Sequence, residues 1–572
     1  MAPPHGCETP GVRRVRYYLE GTFLVEHRPH DGPVRDTAIL ILPPLGYEDI
    51  SAYRPLRVLA DALAGAGHVV SRLDWPGQGD SEGDATTPDL PAIQIAAASR
   101  VALALRSRGF QRVAAIGVRA GALLGLAGAG LDELVLWGTP ASGKAWVREE
   151  RAFHKLAARQ YGSPPQDRPA TPEGAVEAGG FCHSASTVAG MEALSGSRPR
   201  FPNIQRALLI PRDGGAAPAE LAQALVDLGA NVRTVSIRGL GDLLEDPYRS
   251  SLNPNIRAEI LDWFARGEGT VAVEAPRVDT MRPAPGVVER PWTAAGGAGE
   301  LSGVLCQPEA PGTTSGSPDS TGSASHWTLF LNAGGVRRVG PNRLWSVAAR
   351  LLAAEGRPSL RFDVRDVGDS DGSAGPHTDL EQMYAETSVL DVVSAYDALR
   401  ALGARRIDVV GLCSGAFLGV QLASRRPVAR ALLFNGLAYV WDDEARAAGV
   451  TSQLGRSLFD ARRWRRLLSG RIDWRGIPLA LYRQSKVRIG ELRGRLRGEP
   501  ASSAVDRILQ TVLAGGTRLE LVSSEGDPSI TYLAHHVPES RRPPLTVIPA
   551  VDHTLRPVWA HPIVLNLIRG QA

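Results

Sequence analysis

The chain has 572 residues, 43% hydrophobic and 22% charged, with a formal net charge of +4. This is the balance of a globular protein too long for one ordinary core, so two domains are expected. No apolar run is long enough to span a bilayer, the N-terminus carries no secretory signal, and so small a charge gives no indication of nucleic acid. Cys7, Cys182, Cys306 and Cys413 are scattered without zinc or disulfide spacing, which points to a reducing, cytoplasmic setting with no metal and no cofactor.

In chain order, residues 15–18 and 22–25 read as opening strands. Ile39-Leu40-Ile41-Leu42 is a buried strand running into Pro43-Pro44-Leu45-Gly46, and Arg72-Leu73-Asp74 ends the next, before the turn Gly79-Asp80-Ser81-Glu82-Gly83. Residues 112–116 form a further strand that enters Gly117-Val118-Arg119-Ala120-Gly121 and then an apolar helix. A strand at 207–210 leads to Asp213, and the segment 237–244 carries Asp242. Residues 269–284, poor in periodicity and containing Pro and Gly, are expected to link a first domain of residues 1–268 to a second of residues 285–572.

The second domain repeats the first at an offset of 289 residues. Residues 287–290 and 303–306 open it, and the stretch 311–325 is a solvated loop. Thr328-Leu329-Phe330-Leu331-Asn332-Ala333-Gly334-Gly335 then matches the first Gly loop, Arg361-Phe362-Asp363 the next strand end, and Gly368-Asp369-Ser370-Asp371-Gly372 the turn. After a small insertion, residues 406–410 run into Gly411-Leu412-Cys413-Ser414-Gly415 and an apolar helix. Strands alternating with helices at this spacing predict a mostly parallel sheet covered on both faces in each half.

Glycines flanking a central residue between strand and helix are the mark of a nucleophile elbow, where the central backbone is strained and leaves no room for neighbouring side chains. Cys413 there lies at a helix N-terminus, which favours its thiolate. Behind it, the strand 519–524 delivers Asp527 and the strand 545–549 delivers His553. His553 is the expected base and Asp527 the acid that orients it, with Glu525 and the pair Asp442-Asp443 as substitutes. The oxyanion donors expected are the N–H of Ser414 and one from the loop, at Gly334 or Gly335. In the first half Arg119 replaces the nucleophile and Asp242 the base, so that half is expected to be non-catalytic, presenting Arg119 to an anion or serving as a docking partner.

Both halves resemble the α/β-hydrolase fold, over nearly the whole chain. The order nucleophile, acid, histidine is that fold's order, and the resemblance implies acyl chemistry through an acyl-cysteine. The Gly411–Gly415 elbow, the Asn332-Ala333-Gly334 loop and Asp552-His553-Thr554 resemble cysteine hydrolases associated with exosortase or exopolysaccharide systems, as does Glu177-Ala178-Gly179-Gly180-Phe181 of the first half. Dienelactone-type hydrolases and polyester synthases both use cysteine in this fold, so an ester or thioester acyl group passes either to water or to an acceptor. A catalytically inactive binding protein is the alternative.

Two basic features bear on substrate. Arg337, Arg338 and Arg343 follow the oxyanion loop and are expected at the pocket mouth, facing an anionic group. A lid at about 440–504 is rich in arginine, including Arg465 and Arg466. Such a lid suits coenzyme A, a carrier-protein thioester or an anionic membrane surface.

Overall fold

The computed structural model describes residues 11–30, 33–128, 130–158, 165–166, 168–195, 204–265, 269–277, 280–309, 325–372, 380–442 and 503–571. Arg465 and Arg466, with nearly all of the expected basic lid, lie outside the described residues.

Each half builds its own sheet. In the first, the strands in spatial order are Val12–Leu19, Thr22–Pro29, Val69–Leu73, Thr37–Leu42, Arg112–Val118, Glu133–Trp137, Arg206–Ile210 and Asn231–Thr234. In the second they are Met281–Ala284, Val287–Gly296, Gly299–Pro308, Ser359–Phe362, His326–Phe330, Arg406–Leu412, Arg430–Phe434, Arg518–Ser524 and Leu545–Ile548. Leaving aside the short Met281–Ala284 strand, both sheets therefore run 1-2-4-3-5-6-7-8, with the second strand antiparallel to both its neighbours and the pairings beyond it parallel. This is the strand order of the α/β-hydrolase fold, present twice. Among the described residues no helix is long and apolar enough to cross a membrane.

The central strands read as continuous apolar runs because helices cover both faces. Along Thr37–Leu42, Ala38, Leu40 and Leu42 enter one core cluster while Ile39 and Ile41 enter another on the opposite face. Leu329 and Leu331 part from Phe330 in the same way in the second half. The expected linker is partly structured at both ends. Thr270–Val271 pair with Val34–Arg35 of the first half, and Met281–Ala284 pair with the second half's own opening strand.

The two halves meet across a buried, charged seam that follows the 289-residue offset. Arg361 donates to Asp80 at 2.6 Å, and its counterpart Arg72 pairs with Asp369, the counterpart of Asp80. Arg343 donates to the carbonyl oxygens of Gly77, Gly79, Ser81 and Gly83 in the first half's turn, while Arg57 donates to those of Gly368 and Ser370 in the second half's turn. The seam is thus an approximate twofold, each half gripping the other's turn after the early strand.

This overturns the reading of Arg337, Arg338 and Arg343 as substrate-binding residues. All three are buried. Arg337 pairs with Asp74 at 2.8 Å and Asp49 at 3.2 Å and lies 3.9 Å from the centre of the Tyr53 ring. Arg338 pairs with Asp80 and Asp363, each at 2.8 Å, and with Asp369 at 2.9 Å. A buried guanidinium requires that kind of compensation, and apart from Asp363 and Asp369 the partners come from a segment more than 250 residues away in sequence.

Candidate active site

The elbow is built by close backbone packing. A Cβ on Gly411 would lie 2.3 Å from the Gly415 carbonyl oxygen, and one on Gly415 would lie 2.6 Å from that of Asn332, so neither position admits a side chain. Between them Cys413 adopts φ 58°, ψ −113°, with its N–H bonded to the Phe434 carbonyl at 3.0 Å. The turn sets its half-buried sulfur at the start of the helix Ser414–Ala423.

Asp527 and His553 arrive from the ends of the last two strands. Asp527 follows Arg518–Ser524 and caps the helix Pro528–His536, its Oδ1 accepting from the Ser529 N–H at 2.9 Å. Its other oxygen accepts from His553 Nδ1 at 2.7 Å. Asn435 fixes the histidine loop, donating to the His553 carbonyl at 2.8 Å and to Ser524 Oγ at 3.0 Å. Of the substitute acids, Glu525 and Asp442 are among the described residues. Glu525 accepts from the Ala550 N–H, and Asp443 lies outside the described residues.

Nδ1 being bound to Asp527, Nε2 is left facing Cys413. His553 Nε2 has no hydrogen-bond partner among the described residues, and the two groups shift one another electrostatically. Burial pulls the imidazole down, but the sulfur's charge and the Asp527 hydrogen bond outweigh it and raise His553 to about 10. Burial likewise pushes the Cys413 thiol up, and the histidine's charge and hydrogen bond, helped by the Tyr384 hydroxyl and the Ser414 amide, bring it below its ordinary value. The other two described cysteines go the opposite way, Cys306 and Cys182 both being raised by burial and neighbouring glutamates. Both shifts run in the direction that favours a thiolate beside an imidazolium.

Tyr384 was not anticipated from the sequence. Its hydroxyl lies 3.9 Å from the Cys413 sulfur, and its ring stacks on Trp441 at 4.0 Å and packs against Phe417. The available signal was the break in the repeat: the offset is 289 at Arg72 and Arg361 but 294 at Arg112 and Arg406, and Tyr384 falls in the stretch where the extra residues enter. A groove of about 650 Å³ runs beside it, lined by Tyr384, Phe417, Val440, Trp441 and Gln421, with Glu381 and Glu386 at its edge.

On the oxyanion loop, Asn332 donates to the Val336 carbonyl and to Asp363 and accepts from the Val364 N–H, which ties the loop to the next strand end. The Gly334 N–H donates to the Ser414 side-chain oxygen at 2.9 Å. Gly335 serves a close approach instead, since a Cβ there would meet the Pro247–Tyr248 backbone of the first half at 3.0 Å.

The corresponding place in the first half keeps the shape with different side chains. Arg119 has φ 54°, ψ −122°, and its guanidinium is spent on Glu48 at 3.0 Å, on Glu149 and on the Gly138 carbonyl. It is therefore not offered to an external anion, correcting that expectation. Asp213 accepts from the N–H groups of Gly239, Leu240 and Gly241, and so pins the turn next to Asp242.

Neither the family models nor the curated proteins contain a match to this chain. Among solved structures, the chain is similar to an esterase from Pyrococcus furiosus (13% identity, 50% of this chain and 90% of the other, TM-score 0.32). It is similar also to an α/β serine hydrolase homologue from Coxiella burnetii (12% identity, 50% and 97%, TM-score 0.30). A proline iminopeptidase from Mycobacterium smegmatis is similar at 18% identity over 44% of this chain and 97% of its own, with TM-score 0.29.

Proposed function

We propose that the second half is an acyl hydrolase or acyltransferase that takes an acyl group from a neutral ester or thioester onto Cys413. The observation that carries this reading is the Asp527–His553 hydrogen bond beside a half-buried cysteine in a nucleophile elbow, its thiol lowered by the charge of His553. Sulfur attacks the acyl carbon, a C–S bond forms, and the carbonyl π pair moves onto oxygen. As the tetrahedral species collapses, the leaving group departs and takes the proton held on His553 Nε2. Neutral His553 then draws a proton from water or from an alcohol or amine acceptor, whose attack releases the acyl group and returns sulfur to the thiolate.

The groove beside Tyr384 supports an apolar acyl portion, since aromatic faces line it. Its lining includes Glu381 and Glu386, the latter paired with Arg425 at 2.7 Å, and the three arginines expected at the mouth are consumed in the seam, so this lining supplies no cluster of cations for an anionic carrier. The first half acts as a brace for the oxyanion loop: Asp49 and Asp74 hold Arg337, Asp80 holds Arg338, and the 247–248 backbone presses on Gly335.

Incubation with a panel of p-nitrophenyl esters and acyl thioesters, followed by intact-mass measurement, tests the reading. An adduct of acyl mass that maps to Cys413 and turns over is expected. A protein that gains no mass from any of the panel, or gains it on another residue, defeats it.

A further inference from the structure

The second oxyanion donor expected on the loop was a backbone amide, yet the Gly334 N–H is already committed to Ser414 Oγ at 2.9 Å. Ser414 is the residue after the nucleophile, and its side chain is buried, 2% exposed, so water does not compete for that bond. A serine hydroxyl has two acceptor lone pairs and one proton. One lone pair is used by Gly334, while among the described residues the proton has no acceptor. The hydroxyl is thus fixed by its oxygen with its proton still to give, beside the backbone N–H of the same residue, which approaches the Cys413 sulfur.

We propose that the Ser414 hydroxyl is itself an oxyanion donor, held by the Gly334 amide, so that one residue supplies two hydrogen bonds to the developing negative oxygen. This rests on the acyl-cysteine reading above. When sulfur attacks, the charge that moves onto the carbonyl oxygen is met by the Ser414 N–H and the Ser414 O–H. Gly334 acts one bond further out, polarising the hydroxyl by donating to it. Such chains strengthen each member, and a preoriented donor is worth most where water is excluded. The first half supplies an internal contrast. There the residue after Arg119 is Ala120, and Leu45 stands at the position of Gly334, so neither the hydroxyl nor an open glycine loop is kept where no nucleophile is present.

The test compares Ser414→Ala and Ser414→Thr with the parent in the full chain, using p-nitrophenyl butyrate for turnover and iodoacetamide for the thiolate. Loss of the hydroxyl is expected to lower kcat about 100-fold in Ser414→Ala with little change in KM, the size of one lost oxyanion donor. Ser414→Thr, which keeps a hydroxyl, should recover most of that loss. The rate of Cys413 alkylation at neutral pH should be nearly the same in all three, because the Asp527–His553–Cys413 relay is untouched. The slow-reacting probe 1,1,1-trifluoro-2-octanone, which forms a tetrahedral adduct with the thiolate, should bind the Ala variant about 100-fold more weakly. If Ser414→Ala turns over as fast as the parent or faster, the hydroxyl merely occupies the place of the oxyanion, Gly334 is the direct donor, and the proposal falls while the acyl-cysteine reading stands. If the parent itself forms no acyl-Cys413, the earlier reading has failed, and this one with it.

Discussion

Cys413 and Arg119 occupy the same backbone conformation, φ 58° and 54°, at the same turn of the same strand order, and their surroundings differ completely. Around Cys413 the neighbours leave the sulfur half-buried, and the charge of His553 pulls its thiol below the ordinary value. Around Arg119 two glutamates and a carbonyl absorb the side chain, and burial lifts Glu48 to about 7 even beside the guanidinium. The elbow is therefore an architectural joint that the fold needs in order to pass from strand to helix. Catalysis is a second property laid over it by a few side chains.

The comparison breaks first at the nucleophile. Cys413→Ala should lose acyl-adduct formation and about 10⁴-fold or more of turnover, while Arg119→Cys in the first half should gain no adduct, because no histidine stands where Asp242 does. An acylated Cys at 119 would show that the first half retains more of its chemistry than its side chains indicate.

Next comes the relay. Asp527→Asn should lower kcat about 10³–10⁴-fold through the wrong histidine tautomer. Alkylation of Cys413 by iodoacetamide gives the sign of the pH effect. In the parent the thiol is depressed, so the rate should be nearly level through neutral pH and fall only on acidification. In His553→Ala it should instead climb with pH toward the ordinary thiol range near ~8.5. Matching profiles for the two proteins would dissolve the ion pair.

The seam yields a smaller but measurable effect that should be shared by both halves. Asp80→Ala removes a carboxylate shared by Arg338 and Arg361, which keep Asp363, Asp369 and Glu289, and should cost about 1–3 kcal/mol in denaturant unfolding, and its mirror Asp369→Ala a similar amount. Replacing Arg361 and Asp80 together by Met and Leu should cost less than Asp80→Ala alone. Strongly unequal losses at the two mirror positions would mean that the twofold is geometric only.

The smallest effect is expected at Tyr384, which has no equivalent role in the first half. Tyr384→Phe should slow acylation about fivefold, near ~1 kcal/mol for one weak hydrogen bond to sulfur, and shift the alkylation profile slightly upward in pH.

Much of this was legible in the chain itself. The elbow, the order of acid and histidine, and the doubled fold all follow from local patterns: flanking glycines, strand-end loops and a constant offset. The arginines were misread for a physical reason. A run such as Arg337-Arg338 near a pocket looks solvated when only its neighbours in sequence are considered, and three of the five carboxylates that bury it, Asp49, Asp74 and Asp80, belong to the other half, more than 250 residues earlier. Tyr384 was invisible because it acts through a tertiary contact with no motif around it. Ser414 was named for its amide alone, since which of its atoms Gly334 would engage depends on a rotamer.

The mirrored seam has a consequence for assembly. Two separate copies meeting across such a surface would depend on concentration, and each would expose a row of uncompensated charges until it found the other. Joined through residues 269–284, the halves meet at an effective concentration set by the tether and not by the cell. A pair bound in that way no longer needs to be symmetric in what its members do. One copy can surrender its nucleophile to an arginine and persist, because its partner cannot diffuse off in search of a better match.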